Sequence, residues 1–163
     1  MSTNASTPSA SRLTEMTRPD PTPTKTEWQL CRLRRHADYQ RVYAASRKQF
    51  AKQMSYFFVL RPTLGPDGTL LRGADAGSAR IGLTVGKVMG KAVDRNRIKR
   101  RMREAVRRQL ALLHEPVDVI LHPRRSVIDL EFSALEREVA TVFRAVQKTV
   151  ERQLCAQPER TKA

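Results

Sequence analysis

The sequence predicts an α/β (α+β) sandwich in which helices pack on one small sheet. Two amphipathic helical stretches, Lys91 to Leu113 and Leu135 to Leu154, each carry a single apolar stripe. Three shorter apolar stretches, Met54 to Leu60, Ala79 to Val85 and Val117 to His122, have the length of strands rather than helices. With a first short helix they follow in the order helix, strand, strand, helix, strand, helix. That order lays helices on a sheet instead of stacking two sheets.

The first helix spans Ala37 to Ala45, where Tyr39, Val42 and Tyr43 recur at helical spacing. Met54 to Leu60 is dense in aromatic and apolar residues and reads as a strand buried on both faces or nearly so. Pro62 to Ala79 contains Gly65-Pro66-Asp67-Gly68 and forms a turn and loop. The second strand follows, with Ile81, Leu83 and Val85 alternating with Gly82 and Thr84. In the long helix from Lys91, Ile98, Met102, Ala105, Val106 and Leu113 share one stripe at about 100° per residue, with Leu110 at its margin. Pro116 closes that helix and Val117 to His122 makes the third strand. Ser133-Ala134-Leu135-Glu136 has the form of a capping box. It opens a last helix whose stripe is Leu135, Val139, Val142, Phe143, Val146, Val150 and Leu154.

The 163 residues, 40% of them hydrophobic, support one domain with a core. Residues 28–156 form that domain. Residues 1–27, rich in Ser, Thr and Pro, have little to bury and read as a disordered extension, as does the polar tail 157–163. No apolar run approaches the length of roughly 18 residues that a membrane span requires, and the N-terminus lacks the apolar centre of a secretory signal. Cys31 and Cys155 stand far apart without metal-ligand spacing and read as two reduced thiols of a cytoplasmic protein.

The formal net charge of +15 points to a polyanionic partner. Its densest source is the long helix: Lys91 to Arg108 holds nine Lys or Arg against two acids, Asp94 and Glu104. A solvated helix mixes both signs, whereas a one-sign helix repels itself unless phosphate answers it. Asn96, Arg100, Arg103 and Arg107 fall opposite the apolar stripe, flanked by Arg97, Lys99 and Arg108. A leucine-zipper arm would also carry such a helix, but no leucine heptads follow and strands flank it on both sides.

Protein-borne catalysis is poorly supplied. His36, His114 and His122 lie in three different elements and read as surface or strand-end residues. Asp129 and Glu131 sit before a helix start, where acids serve the helix dipole. Gly82, Gly86 and Gly90 are too evenly spread for a phosphate loop. The aromatic residues are the second signal. Tyr39 and Tyr43 share a helix face beside Tyr56, Phe57 and Phe58. Either these rings pack as plain core, or some of them floor a cleft that stacks single-stranded bases.

Arg80-Ile81-Gly82-Leu83-Thr84-Val85, then Lys87, Gly90, Ala92-Val93 and Arg95-Asn96-Arg97-Ile98-Lys99-Arg100, resembles the signature of the bacterial ribonuclease P protein subunit. Leu33, Asp38-Tyr39-Gln40-Arg41-Val42-Tyr43, Asp118-Val119-Ile120-Leu121 and the helix from Leu135 extend the likeness over about residues 30–154. The resemblance implies a two-layer sandwich whose mixed sheet contains a left-handed βαβ crossover through the basic helix, an exception to the usual hand. It implies a protein without catalytic residues of its own, serving a ribonucleoprotein endoribonuclease. There the catalytic RNA subunit, with bound Mg²⁺, removes the 5′ leader of precursor tRNA, one protein to one RNA. Carried over by position, Lys87, Lys91, Arg95, Asn96, Arg97, Lys99, Arg100, Arg101 and Arg103 would bind that RNA. Tyr39, Tyr43, Phe57 and Arg80 would line the leader cleft. Val88 stands where the family often has Lys, and Gly86 where it has Ser or Ala. The rival reading is a non-catalytic ribosomal or RNA-chaperone protein.

Overall fold

The computed structural model describes residues 24, 28–29, 31–61 and 78–156. The extension over 1–27, apart from residue 24, most of the loop over 62–79, and the tail over 157–163 lie outside the described residues. In chain order the elements are α1 (His36–Ala45), β1 (Gln49–Phe50), β2 (Met54–Leu60), β3 (Arg80–Leu83), α2 (Ala92–Gln109), β4 (Val117–Pro123) and α3 (Phe132–Cys155). Short 3₁₀ turns cover Lys87–Met89, Leu110–Leu112 and Arg125–Ile128.

The sheet is mixed, with strand order β1-β2-β4-β3. β2 pairs antiparallel with β4 from Met54 opposite Pro123 to Leu60 opposite Val117. β3 pairs with β4 in parallel, Ile81 beside Val119, so α2 is the crossover between two neighbouring parallel strands. β1 adds two residues at one edge. At the other edge the chain near Cys31 runs beside β3, with Ile81 N–H donating to Cys31 O at 2.7 Å and Leu33 N–H to Ile81 O at 3.0 Å.

Period-2 alternation assigns the two faces. Met54, Tyr56, Ile81, Val117, Val119 and Leu121 join the principal core, packed under α2 and α3. From the helices come Ile98, Met102, Ala105 and Val106, then Leu135, Val139, Phe143 and Val146, each shielded from solvent. The opposite face holds a smaller cluster of Leu33, Val42 and Ile120 with Tyr39, Phe57 and Val59 against it, so α1 covers part of this side. The sheet with α2 and α3 forms the sandwich, and among the described residues α1 packs on the second face.

Several local expectations shift. β3 ends at Leu83 and not Val85, although Thr84 N–H still donates to Leu121 O at 3.0 Å. The α2 stripe is as expected, but its last turn tightens into the 3₁₀ helix from Leu110. The capping box at Ser133 does not form: α3 starts at Phe132 with Glu131 at its N-cap, and the Ser133 hydroxyl donates to Glu131 Oε1 at 2.7 Å. The earlier start brings Phe132 against the core beneath the Arg108 guanidinium, 5.0 Å from the ring centre. Leu154 is 41% exposed because the end of α3 runs past the core. Cys31 is buried and Cys155 exposed, and no disulfide joins them.

Candidate nucleic-acid interface

Gly90 turns the chain into α2 with φ 121°, a region where a side chain is strained, and a Cβ there would meet Asp94 Oδ2 at 2.9 Å. Asp94 occupies that space to cap the helix, its carboxylate accepting from Lys91 N–H at 3.3 Å. The cations that follow divide into two groups. Lys87, Lys91, Asn96, Arg97 and Arg100 are exposed, with Arg95 and Lys99 half-buried. Lys87, Lys91, Arg95, Arg97, Lys99 and Arg100 make no ion pair among the described residues.

Of the later cations, Arg101, Arg107 and Arg108 are answered within the chain. Glu104 accepts from Arg107 at 2.8 Å and from Arg108 at 3.0 Å, and the Arg107 hydrogen bond is the main influence holding its carboxyl below the usual range. Arg101 donates to Ile128 O at 2.5 Å and also to Leu130 O, fastening α2 to the loop before α3. Arg103 lines a cavity with Trp28, Arg100, Glu104 and Arg107. Partial burial, with Arg32 adding repulsion, lowers its pKa. Among the described residues the unanswered positive field therefore sits on the first half of α2 and the turn before it, with Arg103 added beyond them.

β3 leads from that turn back to an aromatic cluster on the sheet face that α1 packs against. Gly82 allows a close approach there, since a Cβ would meet the Tyr39 hydroxyl at 2.8 Å and its ring edge at 2.9 Å. Tyr39 therefore lies close against β3, and burial, with Tyr43 nearby, raises the pKa of its hydroxyl. Tyr43, 36% exposed, packs edge-on against Phe57 at 4.9 Å between ring centres. Its hydroxyl lies 2.9 Å from His122 Nε2 and 3.3 Å from Thr84 Oγ1. Phe57 and His122 stand 5.5 Å apart, so the three rings pack as one cluster. The strand's parity is now visible: Phe57 faces this cleft, while Tyr56 and Phe58 stack together at 6.3 Å within the principal core.

Asp118 anchors the cleft from below. Fully buried on β4, it receives Arg80 through Nε and Nη2, both at 2.8 Å, and Arg41 Nη2 at 2.5 Å. Arg61 Nε lies 3.0 Å from Oδ1. Asp38 adds contacts of 3.4 Å to Arg41 and 3.5 Å to Arg80. One carboxylate thus joins α1, the end of β2 and β3 to β4. Arg80 borders the cleft with its guanidinium held by this pair, and its side chain is only 14% exposed.

His122 is the cleft residue that sequence reasoning passed over as a strand-end histidine. Its partner Tyr43 is distant in sequence, and only the fold joins them. His36 and His114 are exposed and belong to separate elements, so the three histidines do not converge. Burial first and then Lys48 push the His122 pKa below its ordinary value. An unfolded His122 therefore takes up a proton near pH 6.5 while the folded one resists. Stability contributed above about pH 6.5 is lost as pH falls toward the lowered folded value. In urea titrations, His122→Gln is expected to lose less stability than the parent over that interval; equal losses would contradict this.

The Ribonuclease P family model matches residues 29–147. The chain is 31% identical over 112 residues to the ribonuclease P protein component of Symbiobacterium thermophilum, covering 69% of this chain and 87% of that one. With the component from Bacillus velezensis it shares 34% over 113 residues, covering 69% and 86%. Among solved structures, the Staphylococcus aureus RNase P protein superposes with a TM-score of 0.55 at 22% identity, over 72% of this chain and 95% of that one. The Thermotoga maritima RNase P protein gives 0.55 at 20% identity, over 70% and 96%. Those two similarities are of fold.

Proposed function

The chain belongs to the ribonuclease P protein family, and on that premise we propose that it binds the RNA subunit through the first half of α2 and the leader of precursor tRNA through the aromatic cleft. The observation that carries this reading is the division of charge along α2. Cations needed within the fold are paired toward its end, while Lys87, Lys91, Arg95, Arg97, Lys99 and Arg100 remain available at its start. Neutralising RNA phosphates there relieves their mutual repulsion and releases counterions. Asn96 adds a neutral donor and acceptor on the same exposed surface. Arg101 and Arg103 contribute through position: Arg101 holds the helix in place and Arg103 stands beside Trp28.

In the cleft, Tyr43 and Phe57 offer ring surface to an unpaired base, and Tyr39 walls the site above Gly82. Stacking tolerates any base, as a site accepting many leaders requires. Arg80 and Asp118 keep α1 at the right height over the sheet. The chemistry belongs to the RNA, with Mg²⁺ that the RNA holds. The described carboxylates do not fit that role: no three described His, Cys, Asp or Glu side chains converge as a metal site, and Asp38 and Asp118 are committed to arginines. One protein serves one RNA, in the cytoplasm, and the crossover through α2 takes the left hand. No described helix is long and apolar enough to cross a membrane.

The cleft assignment has a direct test. Tyr43→Ala should weaken binding of precursor tRNA by about 5-fold or more, from the loss of one stacked base, and leave mature tRNA almost unchanged. Its Tm should fall by less than that of Phe143→Ala, because truncating a fully buried Phe costs about 3–5 kcal/mol. Equal weakening of both RNAs, or unfolding by Tyr43→Ala, would make the ring plain core.

A further inference from the structure

We propose that the single-strand track continues past the aromatic cleft to the sheet edge, where Phe50 with Lys48 forms a further base-stacking subsite for the leader. This extends the leader-cleft reading and rests on it. Phe50 pairs with Ser55 on β2, and Ser55 pairs with His122 on β4. Thr84, hydrogen-bonded to Leu121 O, continues the row beyond His122. Directly opposed residues of an antiparallel ladder project to the same face. Phe50, Ser55 and His122 are therefore one transverse row, on the face that carries Phe57. Tyr43 sits over the inner part of this row, bonded to His122 and Thr84. Phe50 ends it at the open edge.

Phe50 is 69% exposed, although it belongs to a strand and has the buried, small Ser55 beside it. Lys48 Nζ lies 5.4 Å from the centre of its ring. The same ammonium contributes to the lowered pKa of His122, so its field reaches into the cleft. From Arg47 to Gln53 the chain carries three cations and no acid. Phe57 is one strand over and two residues along from Phe50, roughly 8 Å by strand geometry. A ring for a base and ammonium groups for its phosphates thus lie in line with the cleft. A protein partner would need a wider apolar patch; among the described residues the other exposed large apolar side chains are Tyr43, already part of the leader cleft, and Val88, Val93 and Leu154, which belong to other elements.

The test uses protein assembled with ribonuclease P RNA, and precursor tRNAs whose leaders are either a single nucleotide or long enough, about ten nucleotides, to cross both subsites. Phe50→Ala is expected to reduce affinity for the long leader about 5-fold or more, the effect of one lost stack, and to leave the short leader unchanged. Phe50→Trp should retain parent affinity. Tyr43→Ala is measured in parallel. If it is selective for the long leader while Phe50→Ala binds like the parent, the subsite is wrong and the cleft stands. If Phe50→Ala weakens both leaders equally, Phe50 is no leader subsite. Absence of leader selectivity in both variants would overturn the subsite and the cleft together.

Discussion

Asp118→Ala is expected to destabilise the fold by about 3–5 kcal/mol, the range for removing one member of a buried ion pair. Asp118 is fully buried and meets three arginines. Arg41 has a half-exposed side chain, so that arm contributes little by itself. Arg61 and Arg80 are 5% and 14% exposed, and removing their shared carboxylate leaves two desolvated guanidinium groups facing each other. Asp118→Asn should cost less, since its amide oxygen still accepts a hydrogen bond. Urea unfolding measures both. A loss below about 1 kcal/mol for Asp118→Ala, the level of an exposed pair, would show that water enters and that the cluster does not hold α1 to the sheet.

Replacing Arg97 and Arg100 together by Ala is expected to weaken binding to the RNA subunit roughly 20-fold near 0.15 M salt, from a slope of about −0.7 to −0.9 in log K against log salt for each phosphate contact. The slope itself should flatten by roughly 1.4–1.8. Both side chains are exposed and Ala is a strong helix former, so stability should be unharmed. Arg107→Ala with Arg108→Ala serves as the comparison. These two arginines share Glu104 in the free protein, and their removal should alter the slope less. If Arg97→Ala with Arg100→Ala keeps the parental slope, the first half of α2 does not touch phosphate.

The elements were legible where one face repeats: the stripe Ile98, Met102, Ala105 and Val106 follows from helical period alone, and all four are buried. The alternation in β3 was legible too, and the fold gives it meaning. Gly82 and Thr84 are small because Tyr39 and Tyr43 lie over them. What periodicity missed depends on contacts between distant residues. Nothing near Asp118 announces Arg41, and nothing near His122 announces Tyr43. Arg101 reads from sequence as one more cation of a basic helix, yet two carbonyls across the loop turn it into a fastener. The aromatic strand could not be divided between the two sheet faces until pairing with β4 placed Phe57 beside Ile120 and Tyr56 beside Leu121. The Ser133 capping box does not form because α3 starts one residue earlier, at Phe132, which packs partly buried against the core.

The most direct measurement of the central claim is reconstitution. Ribonuclease P RNA from the same cell is assayed for removal of a precursor tRNA leader at low Mg²⁺, with and without this protein. Protein that supplies phosphate neutralisation and leader binding should restore cleavage that the RNA alone performs poorly there, and the protein by itself should cleave nothing. Cleavage by the RNA that is unchanged when the protein is added, under conditions where the two bind, would contradict the account.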